Sequence, residues 1–139
     1  MSAAAELVVG LPFNTRIGMV AEDGESLALA DDPTLTNHVG TVHAGALFTL
    51  GEAASGVAIT EAVAALGAMP IAKGATIAYR RPAKGRVRAR GKIVEELEAI
   101  RTRLRADGKT AFDVAVSITD AEGVEVATMT VTWHLRGGG

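Results

Sequence analysis

Asn37-His38-Val39-Gly40-Thr41-Val42-His43-Ala44-Gly45-Ala46-Leu47-Phe48-Thr49-Leu50-Gly51-Glu52 runs from a polar, glycine-bearing loop straight into an apolar segment that extends to Ala68. Acids interrupt that segment only at Glu52 and Glu61, so it predicts a buried helix of a water-exposed domain rather than a membrane span. A loop that opens a helix points backbone N–H groups and the positive end of the helix dipole at whatever sits there. A carboxylate inside an apolar stretch is costly unless it has a partner or a task. The same residues therefore set the axis of the fold and mark a place for chemistry.

Working outward, the helix is expected from about His43 to Leu66, with Gly67 as its stop and Pro70 preventing continuation. Gly51, Ala53, Ala54, Ser55, Gly56 and Ala58 make it narrow enough for a curved sheet to approach closely. Gly51 and Gly56 each forfeit roughly 1 kcal/mol of helix propensity relative to alanine, which tertiary contact must offset. Before the helix, Phe13–Val20 and Ser26–Ala30 read as strands joined across Glu22-Asp23-Gly24-Glu25, and Asp31-Asp32-Pro33 ends the second. After Pro70 everything reads as β. Ile71–Tyr79 leads to a turn at Pro82-Ala83-Lys84-Gly85. Arg86, Arg88, Arg90 and Lys92 then alternate with Val87, Ala89, Gly91 and Ile93, the period of a half-buried strand. Ile100–Ala106, Thr110–Thr119 and Val124–Leu135 complete the set, separated by Asp107-Gly108-Lys109 and Asp120-Ala121-Glu122-Gly123. The expected architecture is α+β, a long central helix wrapped by a curved antiparallel sheet in the order β-β-α-β-β-β-β. It occupies residues 13–135 as one domain, with a loose lead-in at 1–12 that includes a helical turn over Ala3–Val9, and a flexible tail at 136–139.

The 139 residues suffice for one core, and with 48% hydrophobic but only 4% aromatic residues that core must be built from Ala, Val, Leu and Ile. The absence of cysteine excludes disulfides, thiolate catalysis and thiolate metal sites, and fits a reducing compartment. No basic n-region precedes an apolar run at the start, so a cytoplasmic location is expected. A formal charge of −2 argues against a nucleic-acid binder, as does the scarcity of stacking aromatics. The charge is unevenly spread. Residues 1–72 hold one basic residue, Arg16, against eight acids, whereas seven basic residues fall within 80–92. One edge is thus expected to meet phosphates or another anion.

No glycine-rich nucleotide loop occurs, and His38 and His43 lack an acid at metal-ligand spacing. Serine, histidine and acid do not form a convincing triad order either, since Ser55 falls on the small-residue helix face and Ser117 in a strand. The remaining constellation is Asn37, His43, Gly45 and Glu52. Residues nine apart on a regular helix differ by about 900° of rotation, a net half turn, and by about 13 Å of rise. His43 and Glu52 of one chain are therefore expected to point away from each other, and a two-fold dimer would bring the acid of one copy to the loop of the other. A carboxylate facing an anion-stabilising helix start suits hydrolysis of an activated acyl group. Gly45 N–H would hold the oxyanion, and Glu52 would either direct a water or attack the carbonyl itself. Asn37 would bond the carbonyl or the water, and His43 would hold the loop. Each residue also has a plainer reading, with Glu52 as a solvated acid, His43 as a local cap and Asn37 as a turn former.

The stretch Asn37…Gly40…His43-Ala44-Gly45-Ala46-Leu47-Phe48-Thr49-Leu50-Gly51-Glu52 resembles the helix-start motif of hotdog-fold acyl-CoA thioesterases of the phenylacetate-degradation type, and more closely their DUF4442-like relatives. Tyr79-Arg80-Arg81-Pro82-Ala83-Lys84-Gly85 resembles the second signature, and the likeness covers about Phe13 to Leu135. The resemblance implies hydrolysis of an aliphatic or aryl acyl-CoA, with coenzyme A as part of the substrate and no separate cofactor or metal. It implies a homodimer with a continuous sheet, paired again into a dimer of dimers, and no nucleic-acid or membrane partner. Asn37, His43 and Gly45 match the loop asparagine, the histidine and the oxyanion glycine, and Glu52 matches the acid contributed across the dimer, often Asp in relatives. The phosphates of CoA would meet Arg80, Arg81, Lys84, Arg86 and Arg88, and the acyl group would lie in a slot lined by residues such as Leu47 and Leu50. Two positions depart from the pattern. His-Gly-Gly is His43-Ala44-Gly45 here, and a serine or threonine early in the post-helix strand is replaced by Ala72 beside Lys73. A lysine there would pair with Glu52 and lower its pKa. The alternative to an enzyme is a non-catalytic acyl-CoA or acyl-carrier-protein binding protein on the same fold.

Overall fold

A computed structural model of the chain describes residues 2–137, apart from the side chain of Glu61. The central helix, α3 (Ala44–Leu66), forms as the sequence predicts, one residue after His43, which caps it in an extended conformation. Gly67 ends it with φ 62°, a left-handed conformation that costs glycine little, and donates its N–H to Val63 O. Helix α3 is apolar around most of its circumference because sheet and helices cover most of it. Leu47, Leu50, Ala53, Ala54, Ser55, Val57 and Ile59 are buried.

Six antiparallel strands form one sheet in the spatial order β1-β2-β4-β5-β6-β3. They are β1 (Val20–Ala21), β2 (Leu27–Leu29), β3 (Ala68–Tyr79), β4 (Val87–Ile93), β5 (Lys109–Thr119) and β6 (Glu125–Gly137). The strands and the central helix follow one another as β-β-α-β-β-β-β, as expected, and a helix lies between the fourth and fifth strands where Ile100–Ala106 reads as a further strand. Alternation decides which face meets α3. Val87 and Ala89 of β4, Phe112, Val114, Val116 and Ile118 of β5, and Met129, Val131, Trp133 and Leu135 of β6 are buried, while Arg88, Arg90 and Lys92 stay outside. Gly91 lets β4 press onto α3, since a Cβ there would lie 2.9 Å from Ala54 O.

Four expectations need correction. Residues Phe13–Val20 do not form a strand. Pro12 opens the short helix α2 (Pro12–Arg16), and β1 is confined to Val20–Ala21. The buried Asn14 amide donates to Val8 O at 2.9 Å, a link that fixes α2 against the preceding helix. That preceding helix, α1 (Ala3–Val9), has the bounds of the expected helical turn, but it is packed rather than part of a loose lead-in. Ser2 caps it, and Ala4, Ala5 and Val8 are buried in the core with α3 residues. Finally, Ile100–Ala106 is not a strand but part of helix α4 (Leu97–Asp107), which buries Ile100 and Leu104 and stops at Gly108 with φ 72°. At the other end, Arg136 and Gly137 belong to β6 rather than to a tail. Met1, Gly138, Gly139 and the side chain of Glu61 lie outside the described residues.

The 12-residue β3 is an edge strand, paired only with β6. Its register shifts between Ala72 and Gly74, which leaves Lys73 as an exposed bulge residue. Pro70 is tolerated because it lies on this edge. Among the described residues no helix is long and apolar enough to cross a membrane.

Candidate active site at the start of the central helix

The loop before α3 is held by its own polar groups. Asn37 Oδ1 accepts from Val39 N and Thr41 N at 3.0 and 3.1 Å, and its Nδ2 donates to Thr41 Oγ1 at 2.8 Å. Gly40 completes the turn at φ 79°. Val42 N–H donates to Ala83 O and His43 N–H to Leu35 O, both at 2.8 Å, so the loop is fastened to the Pro82–Gly85 turn and to the 3₁₀ turn at Pro33–Leu35. Asn37 is thus a turn former, with one of its two amide hydrogens left to donate elsewhere.

His43 does more than hold the loop. Its Nδ1 accepts the Gly45 N–H at 2.8 Å. A neutral imidazole that accepts at Nδ1 carries its proton on Nε2, which makes the exposed edge of the ring a donor. Gly45 is small for a reason specific to this cap, because a Cβ there would sit 3.1 Å from His43 Nδ1. The Gly45 N–H expected to hold an oxyanion is therefore already engaged. Ala46 and Leu47 N–H groups donate to His43 O. The first-turn N–H without a partner among the described residues is that of Ala44. Tyr79 Oη donates to Ala44 O at 3.3 Å, and Thr49 Oγ1 to Gly45 O at 2.9 Å.

Glu52 lies further along α3, and its carboxylate has no hydrogen-bonding or ionic partner among the described residues. Burial pushes its pKa up from 4.5. That direction is opposite to the one a paired lysine would impose, and Lys73 is exposed without an ion pair among the described residues. The rotational argument from His43 also needs correction, because His43 caps the helix from an extended conformation and does not belong to its rotation. Counted from Gly45, Glu52 is seven residues on, about 700° and so on nearly the same face, but about 10 Å further along the axis. Rise alone keeps the acid from the helix start of its own chain. The turn that carries Glu52 is tied to the sheet, since Ser55 Oγ donates to Glu52 O at 2.6 Å and accepts from Trp133 Nε1 at 3.0 Å.

The five cations expected at one anion site divide into three settings. Arg86 donates to Glu22 Oε2 at 2.6 Å and Arg88 lies 3.0 Å from Glu22 Oε1, so one carboxylate from the β1–β2 connection clamps both. Arg80 reaches across the outer sheet face to Thr128 Oγ1, beside a depression of about 720 Å³ that Arg90 and Lys92 also line. Arg81 and Lys84 remain exposed and unpaired among the described residues, flanking the turn whose Ala83 O holds the site loop. Leu47 and Leu50, expected to line an acyl slot, are buried. An apolar cleft of about 480 Å³ opens instead between α2 and α3, with His43 and Gly45 in its wall. Sequence reasoning missed this cleft, Tyr79 as a contact to the helix start, and the free Ala44 N–H. No group of three or more potential metal-ligating side chains occurs among the described residues.

Residues 11–135 match the model of a family described as a domain of unknown function, DUF4442. Among solved structures, a protein of unknown function from Pseudomonas aeruginosa described as a probable thioesterase is 30% identical, with a TM-score of 0.86 over 97% of this chain and 94% of that one. A hypothetical thioesterase from Streptococcus pneumoniae, solved with coenzyme A, is 24% identical with a TM-score of 0.61 over 81% of this chain and 77% of that one. A protein from Bacillus halodurans, also solved with CoA, shares 17% identity and a TM-score of 0.65 over 96% of this chain and 86% of that one. No curated protein matches significantly.

Proposed function

Because the chain belongs to the DUF4442 family of the hotdog-fold thioesterase superfamily, we propose that it hydrolyses acyl-CoA thioesters to free acid and CoA at a site completed by a second copy. The observation that carries this reading is Glu52, a half-buried carboxylate with no partner among the described residues and a raised pKa, on a helix face left bare beside Phe48 and Thr49. Burial that raises a carboxylate's pKa makes it a stronger base toward water. Long, open and apolar, the β3 edge supports the second copy, with Met69 and Ile71 68% and 63% exposed. Such an edge is a template for pairing with another chain.

In this reading the thioester carbonyl oxygen accepts from the Ala44 N–H at the positive helix end, helped by the His43 Nε2–H and the spare Asn37 amide hydrogen. Gly45 keeps the cap close and its backbone accessible. The partner copy's equivalent of Glu52 takes a proton from water as the water oxygen bonds to the carbonyl carbon. The tetrahedral intermediate then expels CoA as thiolate, which recovers the proton from the carboxyl group. Arg81 and Lys84, unpaired among the described residues on the turn bonded to the loop, are the cations best placed for the CoA phosphates, with Arg80 beside them. Arg86 and Arg88 contribute less because Glu22 neutralises them. The coenzyme A held by fold relatives supports this assignment of ligand class. A homodimer is the minimum assembly this chemistry needs, and a dimer of dimers is compatible with it.

The test is complementation. Glu52→Gln and His43→Ala homodimers are each expected to lose thiol release from acyl-CoA. After subunit exchange, half of the dimers are mixed and each carries one intact site, so about a quarter of wild-type activity should return. Recovery of nothing from a mixture proven to contain heterodimers would place the acid and the loop in one chain. Wild-type protein that binds acyl-CoA but releases no thiol from any chain length would make it a thioester-binding protein.

A further inference from the structure

Building on this reading, we infer that the cleft between α2 and α3 is the acyl subsite, and that Phe13 and Phe48 determine which acyl groups enter it. Phe13 from α2, Ile17 at its C-cap, Leu35 from the 3₁₀ turn and Phe48 from α3 form its apolar walls. His43 and Gly45 stand in the same wall, so an apolar chain lying in the cleft leads directly to the helix start where the thioester carbonyl would be held. Its lining carries no aspartate, glutamate, lysine or arginine. The part of a ligand that fits there is neutral and apolar, which selects the acyl group rather than the CoA phosphates.

Two of the chain's three phenylalanines are placed here rather than in the core. Phe13 is 66% exposed and Phe48 37%, whereas Phe112 is 3% exposed. Their uncovered surface is the kind a hydrophobic ligand removes from water. The wall they form is anchored. Asn14 donates to Val8 O and Thr15 Oγ1 to Val9 O, both at 2.9 Å, fastening α2 to α1, which packs against α3. A cavity of about 150 Å³ accommodates benzene. The open cleft of about 480 Å³ has room for a phenylacetyl group or a medium aliphatic chain.

The experiment measures binding separately from turnover. Affinities of CoA and of S-butyl- and S-octyl-CoA thioethers, which cannot be hydrolysed, are compared by calorimetry in wild type, Phe13→Ala and Ile17→Trp. Each added methylene is expected to strengthen wild-type binding about two- to fourfold until the cleft is full. Phe13→Ala should lower the S-octyl-CoA to CoA affinity ratio by about tenfold, and Ile17→Trp should move the best chain to a shorter length. The octanoyl- to acetyl-CoA ratio of kcat/KM should fall in parallel. Unchanged ratios in both folded variants would overturn the assignment even if acyl-CoA is hydrolysed. Altered binding ratios without turnover in wild type would uphold the cleft and refute hydrolysis. Unchanged ratios together with a loss of dimer in Phe13→Ala would make the cleft a contact between copies, and the assignment would fall.

Discussion

Replacing Gly91 with alanine tests how closely α3 is held against the sheet. A Cβ at Gly91 would lie 2.9 Å from Ala54 O and 3.2 Å from both Ala54 C and Ser55 Cα. These are backbone atoms of a helix enclosed by the core, and they cannot yield by a rotamer change. Strand β4 and α3 must separate by several tenths of an ångström, at the cost of overpacking, about 2–3 kcal/mol. For a chain of this length that corresponds to a fall in Tm of about 8–12 °C at fixed protomer concentration. Two other glycines make the comparison sharp. At Gly51 the Cβ meets Met129 Sδ at 2.6 Å and Ile118 Cδ1 at 3.3 Å. Those are side-chain atoms that can repack, and the strain is offset by the roughly 1 kcal/mol that alanine gains in helix propensity, so Gly51→Ala should change stability by less than about 1 kcal/mol. At Gly56 the nearest atoms are Val8 Cγ2 and Trp133 Cζ2 at 3.9 and 4.0 Å, so Gly56→Ala should stabilise by up to about 1 kcal/mol. Denaturation monitored by circular dichroism gives the order Gly56→Ala, Gly51→Ala, Gly91→Ala from most to least stable. A Gly91→Ala protein within about 0.5 kcal/mol of wild type, or one more stable than Gly51→Ala, would refute the reasoning.

Glu52 is an acid whose folded pKa is raised above its ordinary value of 4.5, so the stability it contributes in protonated form is fully present below 4.5 and is lost as pH rises through the folded value. Glu52→Gln should therefore unfold at a higher temperature than wild type at pH 8, with the difference shrinking at pH 4; equal differences at both pH values would contradict it. Charge reversal at both Arg81 and Lys84 should raise KM for acyl-CoA about tenfold, whereas Arg86→Ala with Arg88→Ala should change it less than threefold and cost less than about 1 kcal/mol in a denaturant titration. Ser55→Ala strands the buried Trp133 N–H and should cost about 1–3 kcal/mol, visible in the same titration together with a shift of tryptophan emission.

The central helix was legible because its start, small face and stop are local. The alternation in β4 was equally plain, since the side-chain period of a strand needs no knowledge of its neighbour. Helix α4 was hidden by a coincidence of periods. Arg101, Arg103 and Arg105 alternate with Thr102, Leu104 and Ala106 like a strand, yet Ile100 and Leu104 are four apart and Gly108 follows. Burial of those two apolar side chains decided in favour of the helix. Helix α2 depends on Asn14 reaching back to Val8 O, and the Glu22 clamp on Arg86 spans 64 positions, so neither can be read from local spacing. At the site, the residue types were visible but one role was not. A histidine at the N-cap that accepts from Gly45 leaves Ala44, not the glycine, with the open N–H. A local cap is one reading of His43 in the sequence, but histidine is not among the usual capping residues, and nothing local says which first-turn N–H it takes.

The charge asymmetry of the sequence takes on a different meaning once the chain is folded. Acids dominate the first half and cations cluster after the helix, but antiparallel pairing of β2 with β4 carries Glu22 to Arg86 and Arg88 and cancels much of the contrast internally. The cations left uncompensated at the loop among the described residues are Arg81 and Lys84, at the Pro82–Gly85 turn, and this turn is joined to the site by the Val42 N–H bond to Ala83 O. Ala83 is itself 1% exposed, so the joint is anchored in the core rather than suspended at the surface. A phosphate drawn to Arg81 or Lys84 is therefore held at a fixed remove from the helix start, and the binding energy of that distant group can position the thioester carbonyl against Ala44. Loss of the Ala83 contact would then impair orientation even with every cation and every reacting group still present.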